Sequence, residues 1–266
     1  MSLRTLVEKY ALDTHRTKSA WVVAALFVIV FGFVGWSTGG PTYRGEIRPL
    51  VVGGVQNSAG ILVVLTTLAL GHGVVAGARE SGSLRVLLAY PHSRREVVLG
   101  AFLGRVGPLL AAISGGLLAA PTAYTLRTGQ LPGADYLTLV GFVLLWTVFC
   151  TALAVGISAL ASTGRRAIGG AFGVFLGFLF VWDWLPTEIV RRMYPPEQQR
   201  PRPEWAQLWV NLDPVTAYQR GTSMLSYPPE GPLAAYETLP FFAAVLAAWA
   251  IVPIALALWR FPQTDL

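Results

Sequence analysis

The sequence predicts an all-α, polytopic membrane protein with six transmembrane helices, and three observations carry that reading. The composition is apolar, six apolar stretches are long enough to cross a bilayer, and the basic residues cluster between those stretches. Of 266 residues, 54% are hydrophobic and only 13% charged, against roughly 25% charged in a soluble domain. Nine Trp, 13 Phe, 28 Gly and 18 Pro suit helices in lipid, with aromatic anchors at the interfaces and small residues at helix contacts. A soluble enzyme, a disordered chain and a secreted disulfide scaffold are poor fits. Cys150 is the single cysteine, so there is no intrachain disulfide and no cysteine-rich metal site.

A crossing helix needs about 20 residues. The expected spans are 20–36, 56–77, 97–120, 137–160, 168–184 and 239–259, within one permease-like domain of 1–266. Residues 1–19 precede span 1. Leu3, Leu6, Val7, Tyr10 and Ala11 recur there at helical spacing, which predicts an amphipathic interfacial helix. The polar start and the span-length first apolar run make span 1 a retained helix rather than a signal peptide. Gly71 and Gly73 flank His72 in span 2 and permit close helix contact. The histidines are too scattered for a metal site. In span 5, Gly169, Gly173 and Gly177 recur every four residues and predict tight packing against another span. Pro108 and Pro253 are expected to bend spans 3 and 6.

Placing residues 1–19, 78–96, 161–167 and 260–266 on one side gives that side eleven basic residues against five acidic. The other side has eight against nine. The rule that basic loops stay inside predicts both termini in the cytoplasm. This distribution also explains the net charge of +6 without a nucleic-acid partner; the bilayer is the expected partner of the basic segments. Arg105 is the one charge inside a span. It is read as snorkelling, pairing with another span, or touching a substrate pathway.

Two cytoplasmic links stand out. In the 78–96 loop, Ser83 can cap a short helix over Leu84–Tyr90, with Leu84, Leu87 and Leu88 on one side. Pro91 ends it, and Ser93 with Glu96 forms a capping box for the next helix. Such an element either transmits force from a partner or is a plain surface connector. The Thr163–Arg166 turn, with Arg165 and Arg166, is a second contact point or a tight basic turn. On the opposite side, residues 186–238 hold nine prolines. The stretch 186–205 is broken repeatedly by proline and is a poor candidate for a long regular helix. Trp205, Leu208 and Trp209 share a helical face, and Val215–Leu225 suits another short helix, so the segment is expected to cover the span ends partially. Asp183 is expected hydrated at the edge of span 5.

The chain carries no phosphate-cradling GxxxxGK[ST] run, no HExxH and no GxSxG. No carboxylate pair suits a proton relay. It thus has no visible energy source of its own.

The stretch E-S-G-S-L-R-x-L-L-A-Y-P-x-S-R-R-E-V-V-L-G over Glu80–Gly100 resembles the permease subunits of ABC-2 type ATP-binding-cassette transporters. It is similar to the branch that includes the permease of the nitrous-oxide-reductase maturation transporter. Asn211–Pro214 followed by Ala217 and Tyr218, and the short tail Arg260–Leu266, fit the same pattern. The resemblance implies a non-enzymatic permease in the prokaryotic cell membrane, as a homodimer or a heterodimer with a close homologue. Each copy would dock on a separate ATPase subunit that binds ATP and Mg, while this chain binds no cofactor and no metal. Ser83–Tyr90 would be the coupling helix. The contact residues would be Arg79, Glu80, Ser83, Leu84, Arg85, Leu87, Leu88, Tyr90, Arg94, Arg95 and Glu96, with Arg165 and Arg166 as a second contact. Export is favoured over import. The alternative is a module that relays ATPase motion to an external partner without moving cargo.

Overall fold

Long uncharged runs leave the backbone one economical solution in lipid, which is to bond to itself as a helix. The computed structural model describes residues 6–11, 18–38, 48–84, 93–199 and 201–263, and every regular element among them is helical. After a helical stretch at 6–11 come α1 (Lys18–Thr38), α2 (Arg48–Gly71), the short α3 (Ala76–Glu80), α4 (Arg94–Thr128) and α5 (Asp135–Leu160). Then α6 (Gly164–Leu176) passes through a π-helical turn, Gly177–Val181, into α7 (Trp182–Met193). The chain ends with α8 (Glu204–Asn211), α9 (Pro214–Ser226) and α10 (Leu239–Arg260). Six stretches are long and apolar enough to span a membrane: Ala20–Thr38, Val51–Glu80, Arg94–Thr128, Asp135–Leu160, Gly164–Met193 and Leu239–Arg260.

The fifth helix is the centre of the bundle, packed against α2, α4, α6, α9 and α10. Its buried Trp146 stacks on Tyr218 of α9, ring centroids 4.8 Å apart, and tilts against Phe149. The 6–11 stretch, α3, Leu84, Arg94 and Phe261 gather at one end of the bundle, here termed the basic end. The other end is aromatic.

Three expectations need correction. Span 2 is not one helix: it breaks after Gly71 and resumes at Ala76. Span 5 does not stop near Trp184, because α7 continues it through Pro186 to Met193. Finally, a Cβ on Gly169, Gly173 or Gly177 would meet nothing within 4 Å, so that glycine face has no packing partner among the described residues. The close approach is elsewhere, between α1 and α4. A Cβ on Gly35 would overlap the Ala120 carbonyl, and one on Gly116 would lie 2.7 Å from the Phe27 carbonyl.

The fourth helix is 35 residues long with two internal prolines. Pro121 lacks the N–H that would serve the Leu117 carbonyl four residues back. The Tyr136 hydroxyl donates to that carbonyl at 2.7 Å. Pro186 likewise strands the Trp182 carbonyl, and the Trp209 indole donates to it at 3.2 Å, while Trp182 returns a bond to the Trp209 carbonyl at 2.8 Å. An aromatic donor from another element restores what each proline removed.

The α1–α4 contact yields a direct test. Gly35→Ala forces the two backbones apart and should cost about 1–3 kcal/mol, the usual scale of overpacking, read as a lower thermal midpoint in detergent. Gly141→Ala, where an added Cβ meets nothing within 4 Å, should leave the midpoint unchanged or raise it.

Candidate functional site

At the basic end, the chain must turn out of span 2 without leaving backbone groups bare in an apolar setting. His72 is followed by a turn, and its carbonyl accepts from the Ser158 hydroxyl at 2.6 Å. The Ser158 hydroxyl oxygen in turn accepts from the Val75 and Ala76 amides, both at 3.1 Å. Ser158 is fully buried in α5 and uses its one donor and both lone pairs. A side chain of the fourth span thus closes the break in the second. Gly71 allows the approach, since a Cβ there would lie 2.8 Å from that of Ala154; Gly73 has open space. His72 bonds through Nδ1 to the Leu68 carbonyl at 2.7 Å, a local helical contact.

Beyond the break, α3 is tied to the span 4–span 5 turn. The Arg79 guanidinium donates to the Ala161 carbonyl at 3.0 Å and the Ala159 carbonyl at 3.5 Å, and lies 5.4 Å from the centroid of the buried Phe261 ring. The Glu80 carboxylate accepts from the Gly164 amide at 3.1 Å. Gly164 opens α6, where an anion is favoured by the helix dipole and an amide lacks a helical partner. Thr163 satisfies the Arg166 amide from the same turn. Arg94 donates to the Phe261 carbonyl at 3.4 Å, adding the ends of α4 and α10. Ser93 and Glu96 form the expected capping box, with bonds of 3.2 and 2.8 Å.

The structure therefore brings Arg79, Glu80, Arg94 and Glu96 together with the Thr163–Arg166 turn, and uses each of the four in bonds within the chain. Ser83 is exposed and Leu84 buried. Arg95, Arg165 and Arg166 are exposed, and Arg166 also donates to Ser162 at 2.9 Å. Arg85, Leu87, Leu88 and Tyr90 lie outside the described residues. Arg105 faces a polar cavity shared with the 6–11 stretch and the end of span 2. Sequence reasoning missed Ser158. Its only trace in the sequence was a hydroxyl in an apolar run, which is common in membrane helices.

The aromatic end is more ordered than expected. Trp182, Trp209 and Trp249 cluster there, and Trp249 donates to the Leu212 carbonyl at 2.8 Å. Arg202 pairs with Asp183 at 2.7 Å, so the part-exposed edge carboxylate is held by an ion pair. Buried Asn211 donates to the Tyr236 carbonyl and accepts from Arg220, both at 2.8 Å. Beside this cap, a cleft of about 430 Å³ opens between α2, α5, α6 and α9, lined by Gln56, Asn57, Trp146, Phe172, Phe175 and Tyr218 among others. The pairing of α9 with this cleft was invisible in the sequence, because it depends on Tyr218 reaching Trp146 across the bundle.

Asp213 caps α9 through bonds from the Thr216 amide and hydroxyl to Oδ2, both 2.7 Å. Its Oδ1 is buried with no hydrogen-bond partner among the described residues. Burial raises its pKa from 3.8 to about 6, with Asp183 adding a smaller push in the same direction. The folded chain holds a proton between about pH 4 and 6 that the unfolded chain releases. Stability therefore falls as pH rises through that window, by up to roughly 3 kcal/mol for a shift of this size. Asp213→Asn, which keeps an acceptor for Thr216, should flatten the dependence of the thermal midpoint on pH between 4 and 6. A second test concerns the break in span 2. Ser158→Ala leaves two amides and a carbonyl bare, at about 1–3 kcal/mol for a buried group. Hydrogen exchange across residues 72–80 should accelerate, with the peptide over 139–150 unchanged.

Comparison with known proteins agrees with this architecture. A family model described as "ABC-2 family transporter protein" matches residues 4–266. The chain is 29% identical over 188 residues to a probable ABC transporter permease protein NosY of Pseudomonas aeruginosa, covering 67% of each chain. It is 27% identical over 187 residues to the protein of the same name from Stutzerimonas stutzeri, again covering 67% of each. With six spanning helices and a family match over nearly its whole length, the chain belongs to the ABC-2 family of transporter proteins and is a multi-pass permease of the prokaryotic cell membrane.

Proposed function

We propose that this chain is an exporter permease driven by a separate ATPase subunit, working as a dimer of two permease copies with the basic end in the cytoplasm. ATP and Mg act on the partner. This chain supplies the lever, whose first part is the 83–90 segment and whose second is the Thr163–Arg166 turn. The observation that carries the reading is the set of bonds joining the loop to the spans. Glu80 holds Gly164, Arg79 holds Ala161, and Ser158 holds both sides of the break in span 2. A displacement of the 78–96 loop therefore pulls on spans 2, 4 and 5 together, which is what conversion of ATPase closure into a change of permease state requires. The open glycine face of span 5 is where a second copy is placed in this reading, and the cleft beside Trp146 and Tyr218 is the candidate path for cargo.

The test separates docking from transmission. Leu87→Asp with Leu88→Asp should abolish co-purification of the ATPase subunit with the tagged permease from native membranes. Glu80→Ala should keep the ATPase bound, yet reduce the coupling of hydrolysis to cargo movement in reconstituted vesicles several-fold. Full ATPase recovery with the double aspartate variant would exclude the 83–90 segment as the docking element.

A further inference from the structure

The walls of the cleft beside Trp146 and Tyr218 come from α2, α5, α6 and α9. Residues 51–71, 136–160 and 167–182 of those helices contain no charge. The one charge of α9, Arg220, donates to Asn211 Oδ1 at 2.8 Å. Trp146, Phe172, Phe175 and Tyr218 give the inner surface aromatic faces, and three amides, Gln56, Asn57 and Gln219, also line it. Gln56 and Gln219 stand at one level. The Tyr218 hydroxyl donates to the Gln56 carbonyl at 2.9 Å, and Gln56 Nε2 donates to the Gln219 carbonyl at 3.3 Å. Beyond these bonds, Gln56 Oε1 and the side-chain amides of Asn57 and Gln219 have no hydrogen bond among the described residues. Asn57 and Gln219 are exposed. Since α2 runs from the aromatic end to the break at the basic end, the amides lie toward the aromatic end, and Val64 and Leu65 line the cleft further in.

These walls select by charge. An ion drawn between them gives up hydration and meets no counter-charge, a loss that hydrogen bonds to neutral amides do not offset. An amide offers both a donor and an acceptor, so hydroxyl and carbonyl groups are its natural partners. The aromatic faces suit an apolar body of any shape that lies flat against them. The volume of about 430 Å³ falls within the roughly 300–1,000 Å³ of small-molecule sites. We propose that the cleft takes an uncharged amphiphile, its hydroxyl or carbonyl groups bonded by Gln56, Asn57 and Gln219 and its apolar body laid against Trp146, Phe172 and Phe175. The polar head of the bound molecule then points to the aromatic end. The inference rests on the reading of this cleft as the cargo path and names the class of cargo.

The full-length chain is reconstituted in phosphatidylcholine vesicles, alone and with its ATPase subunit, and labelled with a photoactivatable diazirine analogue of monodecanoylglycerol. Labelled peptides are mapped by mass spectrometry. Unlabelled monodecanoylglycerol, decyl sulfate and decyltrimethylammonium serve as competitors, three head groups on one chain length. The label should concentrate on peptides over 56–65 and 172–179. Monodecanoylglycerol should compete about tenfold better than either ion, and Asn57→Leu and Gln219→Leu, both at exposed positions, should each weaken labelling about tenfold. Label spread evenly over the lipid-facing helices marks ordinary partition into the bilayer. Chain-to-chain crosslinks at the same peptides, in place of label, mark a second copy covering the cleft. Either result overturns the proposal, as do equal competition by the ions and variants that label like the unaltered chain. ATP hydrolysis, measured in parallel, separates this proposal from the cargo-path reading. Selective labelling with hydrolysis raised by monodecanoylglycerol supports both. Selective labelling without that rise supports the site and overturns the path, and a rise without selective labelling overturns the site alone.

Discussion

A backbone amide or carbonyl without a partner costs several kcal/mol in hydrocarbon, and this constraint organises the molecule. The helices satisfy it along their lengths, so the informative places are where a helix is interrupted. At three of these places the interruption is answered by a side chain from a different element. Ser158 closes the break after His72, Tyr136 takes the carbonyl freed by Pro121, and Trp209 takes the one freed by Pro186. Each answer also cross-links two parts of the bundle, so the repair of a local defect doubles as tertiary structure. That is why α5, which supplies two of the three donors, is the central helix.

The two ends then diverge in chemistry. At the basic end the ties are charge-assisted: guanidinium to carbonyl, carboxylate to helix-start amide. At the aromatic end they are indole bonds, stacked rings and a buried asparagine, with an ion pair at the edge. The basic end carries exposed Arg95, Arg165 and Arg166 beside this framework, free in position to face a partner. The aromatic end is a cap that buries the Asp213 carboxyl with one oxygen unpartnered among the described residues. The division sets a framework of charge-assisted ties at one end against an aromatic cap beside a cleft at the other.

Number and placement of the spans were legible in the sequence because composition and length alone determine them. The Ser93–Glu96 capping box was legible for a different reason, since both partners sit within one turn. What could not be read was every contact made across the bundle. The break in span 2 leaves only a Gly-His-Gly in the sequence, and its partner Ser158 is more than 80 residues away. Proline in 186–205 argued against a helix on local grounds. Trp209 overrides that argument by donating from outside the helix. The glycine repeat of span 5 misled in the opposite sense, since it has helical spacing but meets nothing in its own chain, while Gly35 and Gly116, with no such regular repeat, make the tightest contact.

The strength of the basic-end ties bears on whether a loop could drive the spans at all. Moving a two-state equilibrium from 1:99 to 99:1 takes about 5.5 kcal/mol. A single hydrogen bond to a charged group contributes roughly 1.5–3 kcal/mol net, so a lever held by one such bond would detach before it shifted its load. Here the load is shared. Arg79 holds two carbonyls and an aromatic face, Glu80 holds the start of α6, Arg94 holds the end of α10, and Ser158 makes three bonds in a buried setting. Acting together these exceed the work required, provided they break together rather than in turn. Their position argues that they do. Arg79, Glu80 and the turn closed by Ser158 lie within nine residues of one another on a single short segment, and all three grip the region from Ser158 to Gly164. A force on the 78–96 loop is met by the whole set at once, and the π-helical turn at Gly177–Val181, further along the span that Glu80 grips, is the next place in that span where the helix departs from regular geometry and can yield.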